Sequence, residues 1–346
     1  MKSLLSLPLP AQRYATQIGR FERSARRAFT ENRKSGNPVG AALLSADGRT
    51  PMFFLQGLAR INSEVGPSRT TFTHWLQRFK EMEDLLGGYD FWAELGRRAI
   101  EWEIPEQLVK AIEARRLRAL GELEYGLHRA DWIRLRGEEA PSLGKARIDF
   151  LGQIDGLDWL SPKRERRRLA AFIANNARKT EARLKTGRLS LHELEAGVHE
   201  LRRRLRWIPI YAHAMGGKLA WQEGADGEGR FASYLTPDAL LNRFNVLPEN
   251  PREEHPVLLH RGAGIAIAHV IGRIGVLKDR AQWTEACLQI AKQLGVTERE
   301  VLRKMGPVAI THPELVREVK RVVQKVVFQD QALDVFASHL EEQARE

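Results

Sequence analysis

The chain has 346 residues and a single cysteine, Cys287, which excludes an intrachain disulfide framework and a thiolate zinc cluster. That usage fits a reducing compartment, and Cys287 itself reads as a small buried apolar residue. Long apolar runs are equally scarce, and none approaches the roughly 20 residues that a membrane-spanning helix needs. Met1 to Pro10 holds a short leucine-rich run that faintly imitates a secretion signal; its prolines and brevity argue against one, and the expected location is cytoplasmic. Catalytic signatures are missing too. There is no P-loop, no G-x-S-x-G elbow, no H-E-x-x-H pair and no acidic cluster at metal-ligand spacing, so no catalytic residue, metal or cofactor is assigned. Glu122 with Glu124 and Glu138 with Glu139 read as isolated acids, and strand-period runs are few.

What the chain has in excess is positive charge. Lys and Arg number 55 against 44 Asp and Glu, a formal net charge of +11, with a pI near 9.9. The balance favours polyanionic partners: nucleic acid, an anionic membrane surface or inorganic phosphate chains. The excess is concentrated between Ser161 and Arg188, where ten basic residues face only Glu165 and Glu181.

Apolar positions recur at three- and four-residue spacing over Arg13–Arg33, Thr71–Trp102, Pro105–Arg136, Pro162–Thr186, Leu191–Met215, His260–Leu294 and Pro313–Ala344, which predicts long helices. Breakers separate them at Ser35–Pro38, Gly137–Ser142, Gly224–Gly229 and Pro248–Pro256. The expected fold is all-α, divided into an N-terminal extension (1–12), a first helical half (13–158), a second half (159–306) and a helical tail (307–346). An internal echo links the halves: Leu85–Trp92 and Arg273–Asp279 each combine an apolar residue, a Gly and an Asp within about one helical turn. Gly at such a place lets two helices approach closely, and the Asp is suited to an Arg on a neighbour.

Three basic rows stand out. On a helix advancing about 100° per residue, His199, Arg202, Arg203 and Arg206 share one face, and Val198, Leu201, Leu205 and Ile208 form a separate apolar stripe. Ser190 and Glu193 stand in capping-box spacing ahead of it, Pro209 predicts a kink near Ile208, and Gly216-Gly217 predicts a stop after Met215. Glu200 is the one acid within the row and lies off its face. With no acid expected beside it, His199 is expected to take up charge only when an anion arrives. The second row is Arg164, Arg168, Arg178 and Lys179, opposite Leu169, Ile173 and Leu184, in a helix opened by Ser161-Pro162. If these two helices pack side by side, their rows flank a common groove whose crowded charges an anion would relieve. A weaker third row is Arg13, Arg20, Arg27 and Lys34, beside Arg23. His74 and His260 read as bundle histidines.

The segment Val198–Trp207, with His199 followed by basic residues three and seven positions later, resembles the signature of the CHAD family, the conserved histidine α-helical domain. Ile274–Asp279 is similar to a second element of that family, and Leu86–Asp90 resembles the same element one residue short. The resemblance spans roughly Arg13 to Leu294. It implies two pseudo-repeated helical bundles packed around a basic groove, and non-catalytic binding of inorganic polyphosphate through His199, Arg202, Arg203 and Arg206. In the first half, Arg20 through Arg27 offer Arg where the family has His. The tail beyond Gly306 lies outside the pattern. Two alternatives remain from the charge alone: a nucleic-acid-binding helical protein, against which the basic rows lack interleaved aromatics, and an enzyme acting on phosphate polymers, for which no metal-binding acidic cluster is found.

Overall fold

A computed structural model describes residues 7–135, 140–222 and 229–346. Most of the two breakers at 137–142 and 224–229, the pair Glu138 and Glu139, and the first six residues of the leucine-rich start lie outside the described residues. The described chain is dominated by helices, as the periodicity predicts, and it divides into two compact units, 1–159 with 286–306, and 160–285 with 307–346.

Unit 1 begins with α1 (Leu9–Ser35), α2 (Val39–Ser45), α3 (Arg49–Asn62), α4 (Arg69–Glu101) and α5 (Glu106–Arg129). A two-residue antiparallel ladder follows, β1 (Ile133–Arg134) with β2 (Ser142–Leu143), and then α6 (Ala146–Asp155). In α1 the buried positions Tyr14, Ile18, Phe21, Ala25 and Ala28 alternate spacings of four and three, which makes one continuous apolar face. The helix stops at Gly36, whose left-handed φ of 72° lets its N–H reach the Asn32 carbonyl at 2.8 Å. Helix α4 opens where the Ser68 hydroxyl accepts the Thr71 N–H. Its Phe72, Trp75, Phe79 and Met82 are fully buried. Their rings meet those of α1, α6 and the β1 segment: Trp75 and Phe79 lie 4.9 and 5.2 Å from Phe150, and Phe21 lies 5.4 Å from Trp132. Two polar groups inside this aromatic core are matched, Trp75 Nε1 donating to Gln153 Oε1 at 2.8 Å and Asn62 Nδ2 to the Tyr14 hydroxyl at 2.9 Å, whereas Trp132 Nε1 is buried without a hydrogen-bond partner among the described residues.

Unit 2 contains α7 (Pro162–Lys185), a π-helical turn (Leu194–His199) leading into α8 (Glu200–Ala214), β3 (Leu219–Trp221), α9 (Pro237–Leu241) and β4 (Val257–Leu259), which pairs in parallel with β3. Helix α10 (Arg261–Leu294) gives its residues through Glu285 to unit 2 and the remainder to unit 1, as does all of α11 (Glu298–Met305). Helix α12 (His312–Val323), a second π-helical turn (Gln324–Gln329) and α13 (Ala332–Arg345) complete unit 2, so residues 307–346 pack with 160–285, and 286–306 pack with the N-terminal elements. Helix α13 lies extensively against α7.

Several local expectations are corrected. The helix expected over Pro105–Arg136 ends at Arg129, and the one expected over Pro313–Ala344 is broken at Asp330 and Gln331, where Gln331 takes a left-handed φ of 55°. Ser190 and Glu193 form no capping box. The Ser190 carbonyl instead accepts the Glu193 N–H in a turn and lies directly against Gly197, where any Cβ would collide with it. A true capping box sits at Thr311 and Glu314. Helix α8 continues through Pro209 to Ala214, and the stop at Gly216 and Gly217, with φ of 56° and 100°, follows Met215 as expected. The short helices α2, α3, α6, α9 and α11 add to the expected set.

Charge also enters the interior. Lys218 is fully buried, 3.0 Å from Glu253 and 3.7 Å from Glu165, and donates to the carbonyls of Pro162 and Glu254. It ties the start of α7 to the segment before β4. Removing one member of a buried ion cluster leaves the others uncompensated, so Lys218→Met is expected to destabilise unit 2 by about 3–5 kcal/mol in urea denaturation; a loss below about 1 kcal/mol would contradict this role.

Candidate polyanion-binding site

Helix α7 places its small and branched residues Leu169, Ala170, Ile173, Ala174 and Ala177 inward. Its opposite face, through Arg164, Arg167, Arg168, Lys179 and Arg183, is exposed. At 1.5 Å per residue, Arg164 to Arg183 extends about 28 Å. Among the described residues no carboxylate lies within ion-pair distance of Arg164, Arg167, Lys179 or Arg183. These side chains face solvent, which differs from the inward-turned row expected of a groove.

Arg178 behaves differently, although it belongs to the same helix. Its guanidinium is held by Asp334 and by Glu341 at 2.9 Å, both on α13, with Ser338 accepting a further bond at 2.7 Å and Glu181 3.7 Å away. Those carboxylates raise its pKa further above the ordinary arginine value. The expectation that Arg178 serves an external anion is therefore corrected: it anchors α13 on α7.

The His199 segment is also altered. The π-helical turn and α8 pack so that Arg202 lies over Gly275 of α10, where a Cβ would come 3.0 Å from its Nε. The two motif segments, remote in sequence, thus meet. His199 has an acidic neighbour after all, its Nδ1 lying 2.8 Å from Glu195 Oε2, while Glu195 Oε1 accepts from Gln282 at 2.8 Å. Arg203 is ion-paired with Glu200, whose other oxygen lies 2.7 Å from Arg204 Nε. Glu200 thus compensates Arg203, contrary to the expectation of an acid-free row. Arg202 and Arg206 are half-buried on the α8 surface.

A matching arrangement occurs in unit 1. Gly87 of α4 lies under the Arg49 guanidinium, and a Cβ there would come 2.5 Å from its Nη2. Arg49 is clamped by Asp90 at 2.6 Å and Glu83 at 2.8 Å. The expected pairing of Asp90 with an Arg from a neighbouring helix is thus present, and the partner comes from α3. Counted from the glycine, the positions of Glu83 and Asp90 in α4 are occupied in α10 by Ile271 and Lys278. The guanidinium over Gly87 is thus neutralised by acids of the helix it lies on, while in α10 Asp279, the acid of the matching element, is paired with Lys278 at 2.8 Å.

In the third row, Arg13 is buried, whereas Arg20, Arg27 and Lys34 are exposed and Arg20 donates to Gln17 at 3.3 Å. Burial of Arg13 breaks that row. His260 is a satisfied interior histidine, its Nδ1 accepting the Ala263 N–H with its ring against Phe231 and His339. Cys287 is fully buried, and burial pushes its thiol up to about 12. Among the described residues no group of three or more His, Cys, Asp or Glu side chains is placed to hold a metal ion, and no helix is long and apolar enough to cross a membrane.

Partial burial would raise the Glu195 carboxyl, but the hydrogen bonds from His199 and Gln282, with the charges of His199 and Lys278, hold it below its ordinary value of 4.5. A depressed carboxylate contributes stability above its unfolded pKa and loses it as pH falls through the folded one. Glu195→Gln is therefore expected to lower the urea midpoint of unit 2 above about pH 4.5, with the gap from the parent protein closing below that value. A gap that persists unchanged into acid would contradict the assignment.

No protein-family model, curated protein or solved structure matches the chain.

Proposed function

We propose that unit 2 binds a flexible polyanion without catalysing a reaction on it, with inorganic polyphosphate as the class that the CHAD resemblance implies. The observation that carries this reading is the exposed face of α7, where Arg164, Arg167, Lys179 and Arg183 repeat along about 28 Å with no carboxylate partner among the described residues. A phosphate chain needs fixed positive charge repeated at short intervals, and guanidinium groups supply it with two-pronged hydrogen bonds. Arg168 lies on the same face. Arg202 and Arg206 extend the basic surface onto α8, and His199, linked to Glu195, is a hydrogen-bonding member of it. A site shared between two helical surfaces replaces the inward groove of the sequence expectation, and Arg178 and Arg203 belong to internal ion pairs instead. The glycines under Arg49 and Arg202 support a pseudo-repeated origin of the two units. A cytoplasmic location fits the single buried thiol and belongs to the same reading.

The test is filter retention of long polyphosphate by the full chain, against DNA and RNA of matched charge. Arg164→Glu combined with Arg167→Glu and Lys179→Glu is expected to weaken polyphosphate retention by about tenfold or more. The same change should flatten the dependence of log affinity on log salt by roughly two, at about 0.7 for each phosphate no longer neutralised. Arg202→Glu with Arg206→Glu is expected to weaken retention independently. Helicity by circular dichroism should be unchanged in both. Unchanged retention in the α7 variant would remove that face from the site, and equal retention of all three polymers would remove the choice of polyphosphate.

A further inference from the structure

Where α12 passes into its π-helical turn, unit 2 has an open cavity of about 500 Å³, within the usual range for small-molecule sites. One wall is cationic: Arg317, Lys320 and Arg321 are spaced three and four apart and share a face of α12. The floor is apolar, formed by Leu191, Val323 and Phe328. In an ideal α-helix, residues five apart such as Val323 and Phe328 point about 140° away from each other. The π-helical turn over Gln324–Gln329 widens the ring to i→i+5 and brings both side chains to the same cavity, a kind of insertion found frequently at functional sites.

The charges on the wall differ in how far they are already satisfied. Arg321 pairs with Glu318 at 2.6 Å. Lys320 Nζ lies 2.8 Å from His192 Nε2, an ammonium donating to a ring nitrogen. That partner is a ring nitrogen and not a carboxylate, and it holds Lys320 beside the turn that supplies Leu191. Among the described residues no carboxylate lies within ion-pair distance of Arg317. Arg317 and Lys320 thus stand over an apolar floor, and among the described residues neither is ion-paired.

We propose that this cavity binds a phosphate monoester carrying a short hydrocarbon or aromatic body, with the phosphate on Arg317 and Lys320 and the body against Leu191, Val323 and Phe328. Inorganic phosphate would use the wall alone and a neutral hydrocarbon the floor alone; only an anionic amphiphile engages both. The site is separate from the α7 face and stands without the polyphosphate reading.

Isothermal titration of the full chain with 1-naphthyl phosphate tests it. Saturable one-to-one binding is expected, at least about tenfold tighter than inorganic phosphate, since the floor takes up the ring. Arg317→Ala with Lys320→Ala is expected to weaken it by about tenfold or more through loss of charge-assisted bonds. Phe328→Ala is expected to weaken 1-naphthyl phosphate but not inorganic phosphate, and Arg164→Glu with Lys179→Glu to leave both unaltered. Equal affinity for the two ligands, unaltered affinity in the Arg317 and Lys320 variant, or weakening by the α7 variant would overturn the proposal. So would cosedimentation with phosphatidate vesicles in the absence of saturable binding of the free monoester.

Discussion

A guanidinium can serve an outside anion only where no carboxylate of the same fold reaches it first, and this fold distributes its carboxylates unevenly around its basic residues. Helix α7 shows the contrast within a single element. Arg178 is enclosed by Asp334, Glu341 and Glu181, whereas Arg164, Arg167, Lys179 and Arg183, on the solvent side, have no such partner among the described residues. The difference arises from packing. The buried stripe of Leu169, Ile173 and Ala177 seats α7 in unit 2, and Arg178 is the cation of the row that stands beside Asp334, Ser338 and Glu341 of α13. The clamped Arg49, with Glu83 and Asp90 beside it, shows the same commitment of a guanidinium to the acids of its own fold in unit 1.

The residual charge has a structural consequence as well. Like charges repeated along one helix repel, and at physiological ionic strength the screening length of about 8 Å leaves neighbours one turn apart within each other's field. A bound polyanion removes that repulsion and stabilises the folded unit by mass action. Several acids of unit 2 are committed elsewhere: Glu165 and Glu253 to the buried Lys218, Glu200 to Arg203 and Arg204, Glu195 to His199 and Gln282. Stability and charge display are therefore set by one allocation of carboxylates.

The long helices are legible from apolar residues at three- and four-residue spacing, and so is the glycine stop after Met215. The short helices α2, α6 and α9 are not, since five to ten residues give too little periodicity to distinguish a helix from a loop. Helix α3, with Pro51 at its start, gives no clear opening signal although it supplies Arg49. The two π-helical turns are invisible to any reading that assumes 3.6 residues per turn, which is why Ser190 and Glu193 imitate a cap and why the Val323–Phe328 pairing has no signature in the sequence. Which arginines remain available is only partly legible. Glu195 precedes His199 by one turn, a spacing that marks an i to i+4 partner, and Glu200 stands three and four residues before Arg203 and Arg204; both signals are local. Asp334 and Glu341 lie 156 and 163 residues from Arg178, and no local pattern identifies them.

Whether this allocation of carboxylates decides where a polyanion binds is measured most directly by chemical footprinting of lysines on the full chain, by acetylation and mass spectrometry, with and without long polyphosphate. Lys179, exposed on the solvent face of α7, is expected to be protected by the polymer, while Lys110, exposed in unit 1 and paired with Glu106, is expected to keep its reactivity. Equal protection of both lysines, or none at Lys179 under conditions where the polymer is retained, would contradict the allocation as the determinant of binding.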